Sequence, residues 1–116
     1  MDDFDDQYAA AVKRGNVAFA TQPRAVAVHY DAMQDRLVVE LANGATFLFP
    51  PRLAQGLAGA TDEQIAKVEI AGVGFGLHWE ELDADHNVAS LLAGRFGTNR
   101  YMIERFGPDW HEGEAA

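Results

Sequence analysis

The stretch Arg36-Leu37-Val38-Val39-Glu40-Leu41-Ala42-Asn43-Gly44-Ala45-Thr46-Phe47-Leu48-Phe49 decides the fold. It holds two runs of alternating polarity around an Asn-Gly pair, a strong local signal for a β-hairpin. Leu37, Val39 and Leu41 share one face of the first run, and Phe47 and Phe49 share one face of the second. A two-residue loop at Asn43-Gly44 would set Phe47 opposite Glu40 and Phe49 opposite Val38. A three-residue loop, Ala42 to Gly44, sets Phe47 opposite Val39 and Phe49 opposite Leu37. Only the second gathers the large apolar side chains on one side, and a one-residue slip would turn a whole face to water. The second register is therefore expected, with Gly44 left-handed in a type I turn and a G1-type bulge.

Upstream, Ala25 to Tyr30 alternates as a third strand, with Val26, Val28 and Tyr30 on one face and His29 facing away. Farther back, Phe4, Tyr8, Ala11 and Val12 recur at helical spacing over residues 3–14. Acids fill the first turn of that helix, Lys13 and Arg14 fill the last, and Gly15 stops it. Downstream, Pro50-Pro51 ends the sheet segment, because neither residue donates to a ladder. Pro51 opens a short helix carrying Leu53 and Leu57, weakened at Gly56 and closed at Gly59. Thr61-Asp62-Glu63-Gln64 has capping-box spacing, and Val68 and Ile70 read as a short strand. Gly72, Gly74 and Gly76 mark a bent or bulged backbone before His78-Trp79. That stretch lacks the dinucleotide and P-loop fingerprints and reads as structural. Asp85 or Asn87 caps a helix Val88 to Ala93, with Val88, Leu91 and Leu92 toward the core and Gly94 as its stop. Thr98 caps a last helix, residues 99–106, ending at Gly107-Pro108. The end is polar apart from Trp110, which reads as an anchor.

At 116 residues and 48% hydrophobic, the chain is one domain able to bury a core. Nine basic and 18 acidic residues give a net charge of −9, which repels phosphate backbones and anionic membranes. The basic residues are scattered and form no nucleic-acid stripe. Cysteine is absent, which excludes disulfides, thiol catalysis and cysteine-ligated metals. No apolar run spans a bilayer, and the acidic start Asp2, Asp3, Asp5, Asp6 is the reverse of a secretory leader, so a soluble cytoplasmic protein is expected. Ser90 is the single serine, and no Gly-x-Ser-x-Gly elbow surrounds it.

Reactive side chains are densest in His78-Trp79-Glu80-Glu81-Leu82-Asp83-Ala84-Asp85-His86. Two histidines with several carboxylates have the donor types for zinc, nickel or manganese. Their spacing lacks the helical His-x-x-x-His pair, however. A structural assignment is also available. Trp79 and Leu82 anchor the core, Asp83 and Asp85 bond backbone N–H groups of the turn, and His78 donates to a nearby carboxylate or carbonyl.

Three groups of residues carry a family resemblance. They are Pro23-Arg24-Ala25-Val26 with the Asn43-Gly44 hairpin, Phe47-x-Phe49-Pro50-Pro51-Arg52-Leu53 with Val68-Glu69-Ile70, and Gly74-x-Gly76-x-His78-Trp79 with Leu82-Asp83-x-Asp85 and Leu91-Leu92-x-Gly94. In this order they resemble the bacterial domain-of-unknown-function family 2442 over about residues 23–97, most of a domain by ordinary size. The resemblance implies a small α+β domain with no established activity, in a toxin–antitoxin-like or transcriptional-regulatory setting. The resemblance includes relatives that can carry a Lys/Arg-rich tail, whereas Gly107 to Glu114 is acidic here, which speaks against DNA binding.

The expected architecture is thus α+β: a small antiparallel sheet of three to four strands with helices packed on one face. Residues 1–22 form an N-terminal helix and connector, 23–97 the core domain, and 98–116 a C-terminal helix and acidic tail. The expected function is a non-enzymatic binding or regulatory module that presents Glu80, Glu81, Asp83 and Asp85 to a basic protein partner. The alternative is a small metal-binding protein or metal-dependent enzyme centred on His78, Asp83, Asp85 and His86. No cofactor is expected, and neither is a nucleic acid or a membrane. The partner is another protein, or a second copy meeting an unpaired sheet edge.

Overall fold

The computed structural model describes residues 22–110. The helix expected over residues 3–14 and the tail beyond residue 110 lie outside them. Strands β1 (Ala25–Asp31), β2 (Arg36–Leu41) and β3 (Thr46–Phe49) form an antiparallel sheet in that order. Phe47 faces Val39 and Phe49 faces Leu37, the register that the hydrophobic pattern selects. Gly44 takes φ +94°, and Asn43 Oδ1 accepts from Ala45 N at 2.9 Å inside the turn. Leu37 and Val39 are fully buried, and Phe47 stacks on Phe49 with ring centroids 5.3 Å apart.

One detail of β1 corrects the sequence reading. A bulge between Ala25 and Ala27 takes Val26 out of the ladder, so Ala25 is buried and Val26 is 56% exposed. An extra residue in one strand reverses the side-chain alternation beyond it, which simple period-2 counting does not anticipate. Val28 and Tyr30 do pack toward the core.

Pro51–Leu53 is a single 3-10 turn with proline at its first position, shorter than the helix expected there, and turns follow to Ala60. Helix α1 (Asp62–Ala66) starts with the full capping box: Thr61 Oγ1 accepts from Gln64 N at 3.1 Å and Gln64 Oε1 from Thr61 N at 2.9 Å. Arg52 fastens these parts together. Its guanidinium donates to Asp35 Oδ1 at 2.9 Å, Asp62 Oδ1 at 2.8 Å and the Ala60 carbonyl at 3.0 Å. Tyr30 also donates to Asp35 Oδ1, at 2.6 Å.

The α+β class holds, but the described residues form two three-stranded sheets rather than the one sheet of three to four strands expected. Strands β4 (Glu69–Ala71), β5 (Gly76–Trp79) and β6 (Ala84–Asn87) make a second antiparallel sheet. The glycine-rich stretch folds into a 3-10 turn at Gly72–Gly74 and then into β5. Gly72, Val73 and Gly74 all take positive φ, which reverses the chain within three residues. Ala84-Asp85-His86-Asn87 has weak strand propensity, yet pairing with β5 holds it extended.

Helix α2 (Val88–Leu92) is capped by Asn87, whose Oδ1 accepts from Ser90 N at 3.0 Å. Val88 and Leu91 are buried, while Leu92 is 38% exposed rather than facing the core. Helix α3 (Asn99–Phe106) has its cap at Thr98, as expected, and buries Met102. Residues of both sheets, α1, α2 and the 54–60 turns share one core, with Leu37, Leu57, Ile65, Leu77, Trp79 and Leu91 almost wholly enclosed. Each such side chain contributes about 1.5–3 kcal/mol relative to exposure. Trp110 is half-buried under the Arg95 guanidinium, 5.9 Å from the ring centroid, in keeping with an anchor.

Candidate functional site

The dense stretch is a β-hairpin, and its register places every reactive group. His78 pairs with Asp85 across β5–β6, and Leu77 pairs with His86. Alternation then sends Leu77 and Trp79 into the core and His78 to the outer face. Trp79 donates Nε1–H to the Ile65 carbonyl at 3.0 Å, so it is anchored as expected, and Leu82 packs against the same core. Glu69 of β4 lies opposite His78 on its other side.

His78 sits between two carboxylates. Nε2 lies 2.6 Å from Glu80 Oε2, and Nδ1 lies 2.6 Å from Asp85 Oδ1. An ionised carboxylate only accepts hydrogen bonds, so both ring nitrogens must carry protons and the ring is an imidazolium. Hydrogen bonding to Glu80, then to Asp85, raises its pKa to about 9. Glu81 turns elsewhere: Lys67 Nζ reaches it at 2.9 Å and Gln64 Nε2 at 3.3 Å, and the Lys67 hydrogen bond lowers its pKa. Glu80 and Asp85 remain 84% and 71% exposed at their side chains. The carboxylates of Glu69, Glu80, Glu81 and Asp85 thus gather around the cations His78 and Lys67. A hollow of about 490 Å³ is bounded by Lys67, Val68, Glu69, Glu80 and Glu81.

The four residues of the metal alternative do not converge. His78 and Asp85 meet, but adjacent residues of a strand point to opposite faces, and His86 is carried to the other side. There His86 Nε2 donates to the Gln55 carbonyl at 2.9 Å, and its ring meets the edge of Trp79 at 78°, 6.1 Å away. Asp83 closes the β5–β6 turn at φ +48°, its N–H donating to the Glu80 carbonyl at 3.2 Å. Among the described residues, no group of three or more His, Asp or Glu side chains is arranged to hold a metal ion. The expected backbone bonding by Asp85 is also corrected: its carboxylate is taken by the imidazolium, and Asn87 does the capping.

Sequence reasoning overlooked a second concavity. A cleft of about 570 Å³ lies between β6, the Gln55–Gly56 turn, Ser90 of α2 and the Arg95–Thr98 segment. Gln55 organises it. Its N–H donates to the Phe96 carbonyl at 2.7 Å, its own carbonyl accepts from His86, and its Oε1 accepts from Thr98 N at 3.0 Å. Nothing in the periodicity singles out Gln55, because its role comes from contacts 31 to 43 residues away.

A family model described as a protein of unknown function, DUF2442, matches residues 25–97. A crystal structure of a protein of unknown function from Rhodospirillum rubrum ATCC 11170 is similar at 55% identity and a TM-score of 0.69, covering 71% of this chain and 99% of that one. A solution NMR structure of an uncharacterised protein from Chromobacterium violaceum is similar at 31% identity and a TM-score of 0.68, covering 83% of this chain and 87% of that one. The comparison with curated proteins gives no match. The Arg36–Phe49 hairpin and the Gly-x-Gly-x-His-Trp hairpin both lie inside the matched segment, and the chain belongs to the DUF2442 family of proteins of unknown function.

Proposed function

We propose that this protein is a non-enzymatic binding module that offers an acidic face of its second sheet to a basic protein partner. One observation carries the reading. Glu80 and Asp85 clamp a charged His78 yet stay mostly exposed, so the face is rigid and still negatively charged. Preset carboxylates steer a cationic partner and fix its orientation with little ordering cost. The hollow beside Glu69, Glu80 and Glu81 gives a basic side chain a place to rest. A cytoplasmic regulatory setting, toxin–antitoxin-like or transcriptional, would supply such a partner.

The test is affinity capture with the intact chain and with the double variant Glu80→Lys/Asp85→Lys at low and high salt. The expected result is a retained partner that is lost in the variant and lost at high salt. A capture profile indifferent to both changes counts against the proposal.

A further inference from the structure

Among the described residues β6 is an edge strand, and the 570 Å³ cleft runs along the side that β5 does not cover. The consecutive residues Asp83 to Asn87 all line that cleft, as a backbone edge would and a single side-chain face would not. Val88 N–H donates to the Phe75 carbonyl at 2.9 Å, one step beyond the Asn87–Gly76 pair. Antiparallel ladders alternate, so Ala84 and His86 turn their backbone groups toward β5. Asp85 therefore turns its N–H and C=O away from the sheet, and Asn87 turns its N–H the same way. No backbone group of the described residues bonds to these three.

We propose that the cleft takes an extended, lysine- or arginine-bearing segment of a protein partner as a fourth strand added to the edge of β6. Strand addition draws its affinity from main-chain hydrogen bonds and its specificity from alternate side chains. A basic residue on the outer face of the added strand would lie beside Asp85, since cross-strand neighbours stand about 4.5–5.5 Å apart. Asp83 lines the same cleft. On the opposite face, His86 and Ser90 leave room for a small polar residue. A second copy is a poor occupant, because pairing two β6 edges sets like carboxylates against each other. The proposal rests on the acidic-face reading above and adds the place and manner of binding.

The test is hydrogen exchange by NMR on the ¹⁵N-labelled full chain. One probe is a capped five-residue peptide alternating threonine or valine with lysine. A second is the same peptide with alternate backbone nitrogens methylated, and a third has glutamate in place of lysine. At ten times its Kd, the lysine peptide should slow exchange roughly tenfold at the Asp85 and Asn87 amides. Ala84 and His86, already bonded to β5, should change little. The methylated peptide should give no protection. Equal binding of methylated and unmethylated lysine peptides, without protection at Asp85 and Asn87, overturns strand addition while leaving the acidic face intact. Equal protection by the glutamate peptide overturns the basic occupant, and with it the acidic-face reading, while leaving the edge pairing. Protection that grows with protein concentration in the absence of peptide replaces the partner by a second copy and overturns the proposal, as does no response to any probe.

Discussion

Replacing Gly74 by alanine should destabilise the protein well beyond the same change at Gly44, although both have left-handed φ, +102° and +94°. The backbone cost shared by both is about 1–2 kcal/mol for an L-residue at positive φ. At Gly44 that is the whole effect, since an added Cβ meets nothing within 4 Å. At Gly74 the new carbon would lie 2.6 Å from the Ala25 carbonyl oxygen and 3.2 Å from Arg24 Cβ. Even a weak C–H···O contact needs about 3.3 Å, so the start of β1 must retreat by roughly 0.7 Å. That start is pinned, because Ala42 N–H donates to the Arg24 carbonyl at 2.8 Å and Ala25 is buried. Forcing extra atoms into such a seam costs about 1–3 kcal/mol more. The expected losses are therefore about 1–2 kcal/mol for Gly44→Ala and about 2–5 kcal/mol for Gly74→Ala. Urea unfolding followed by far-UV circular dichroism measures both, provided the slopes agree. Losses equal within about 0.5 kcal/mol would refute the claim that the Gly72–Gly74 turn abuts β1.

Three further expectations follow from the same contacts. The His78 ring should titrate near pH 9 by NMR; its contribution to stability is complete below about pH 6.5 and fades as pH rises toward 9, and Glu80→Gln should lower that midpoint at least as much as Asp85→Asn. An unshifted midpoint near the ordinary histidine value would show that the clamp does not form in solution. Arg52→Lys should cost about 1–2 kcal/mol in chemical denaturation, because an ammonium cannot span Asp35, Asp62 and Ala60 together and the exposed carboxylates discount the ion-pair share. Trp79→Phe removes the shorter of the bonds to the Ile65 carbonyl and leaves it the 3.3 Å bond from Val68 N–H, a loss of about 0.5–1.5 kcal/mol before any cavity is added, and a variant as stable as wild type would contradict the Nε1 hydrogen bond.

The first sheet was open to reading because its instructions are local. Asn43-Gly44 sets the turn, and Leu37, Val39, Phe47 and Phe49 leave one register that keeps the apolar side dry. The caps at Thr61, Asn87 and Thr98 were legible for the same reason: each acts within three residues. The second sheet was harder. Ala84-Asp85-His86-Asn87 is polar and short, and only its pairing with Leu77 and Trp79 makes it a strand. Once that pairing is known, the separation of Asp85 from His86 follows from alternation, and the four-residue metal grouping falls apart. Tyr30, Asp35, Arg52 and Asp62 lie up to 32 residues apart and carry no shared pattern, so their network became visible only in the folded chain. The same holds for Gln55 and the cleft that it organises.

The order of strands within each sheet bears on how the chain reaches this shape. Both sheets are meanders, β1-β2-β3 and β4-β5-β6, so among the described residues every strand pairing joins neighbours along the chain and closes only a short loop. Hairpins of this kind zip up in about 1–10 μs, and wiring dominated by nearby partners folds faster than wiring that must bring distant segments together. The slow event should then be the meeting of the two halves, when Gly74 slides under Ala25 and water leaves the space around Trp79. Substitutions at that junction should retard assembly, while those in the Asn43-Gly44 turn act at an earlier and quicker step.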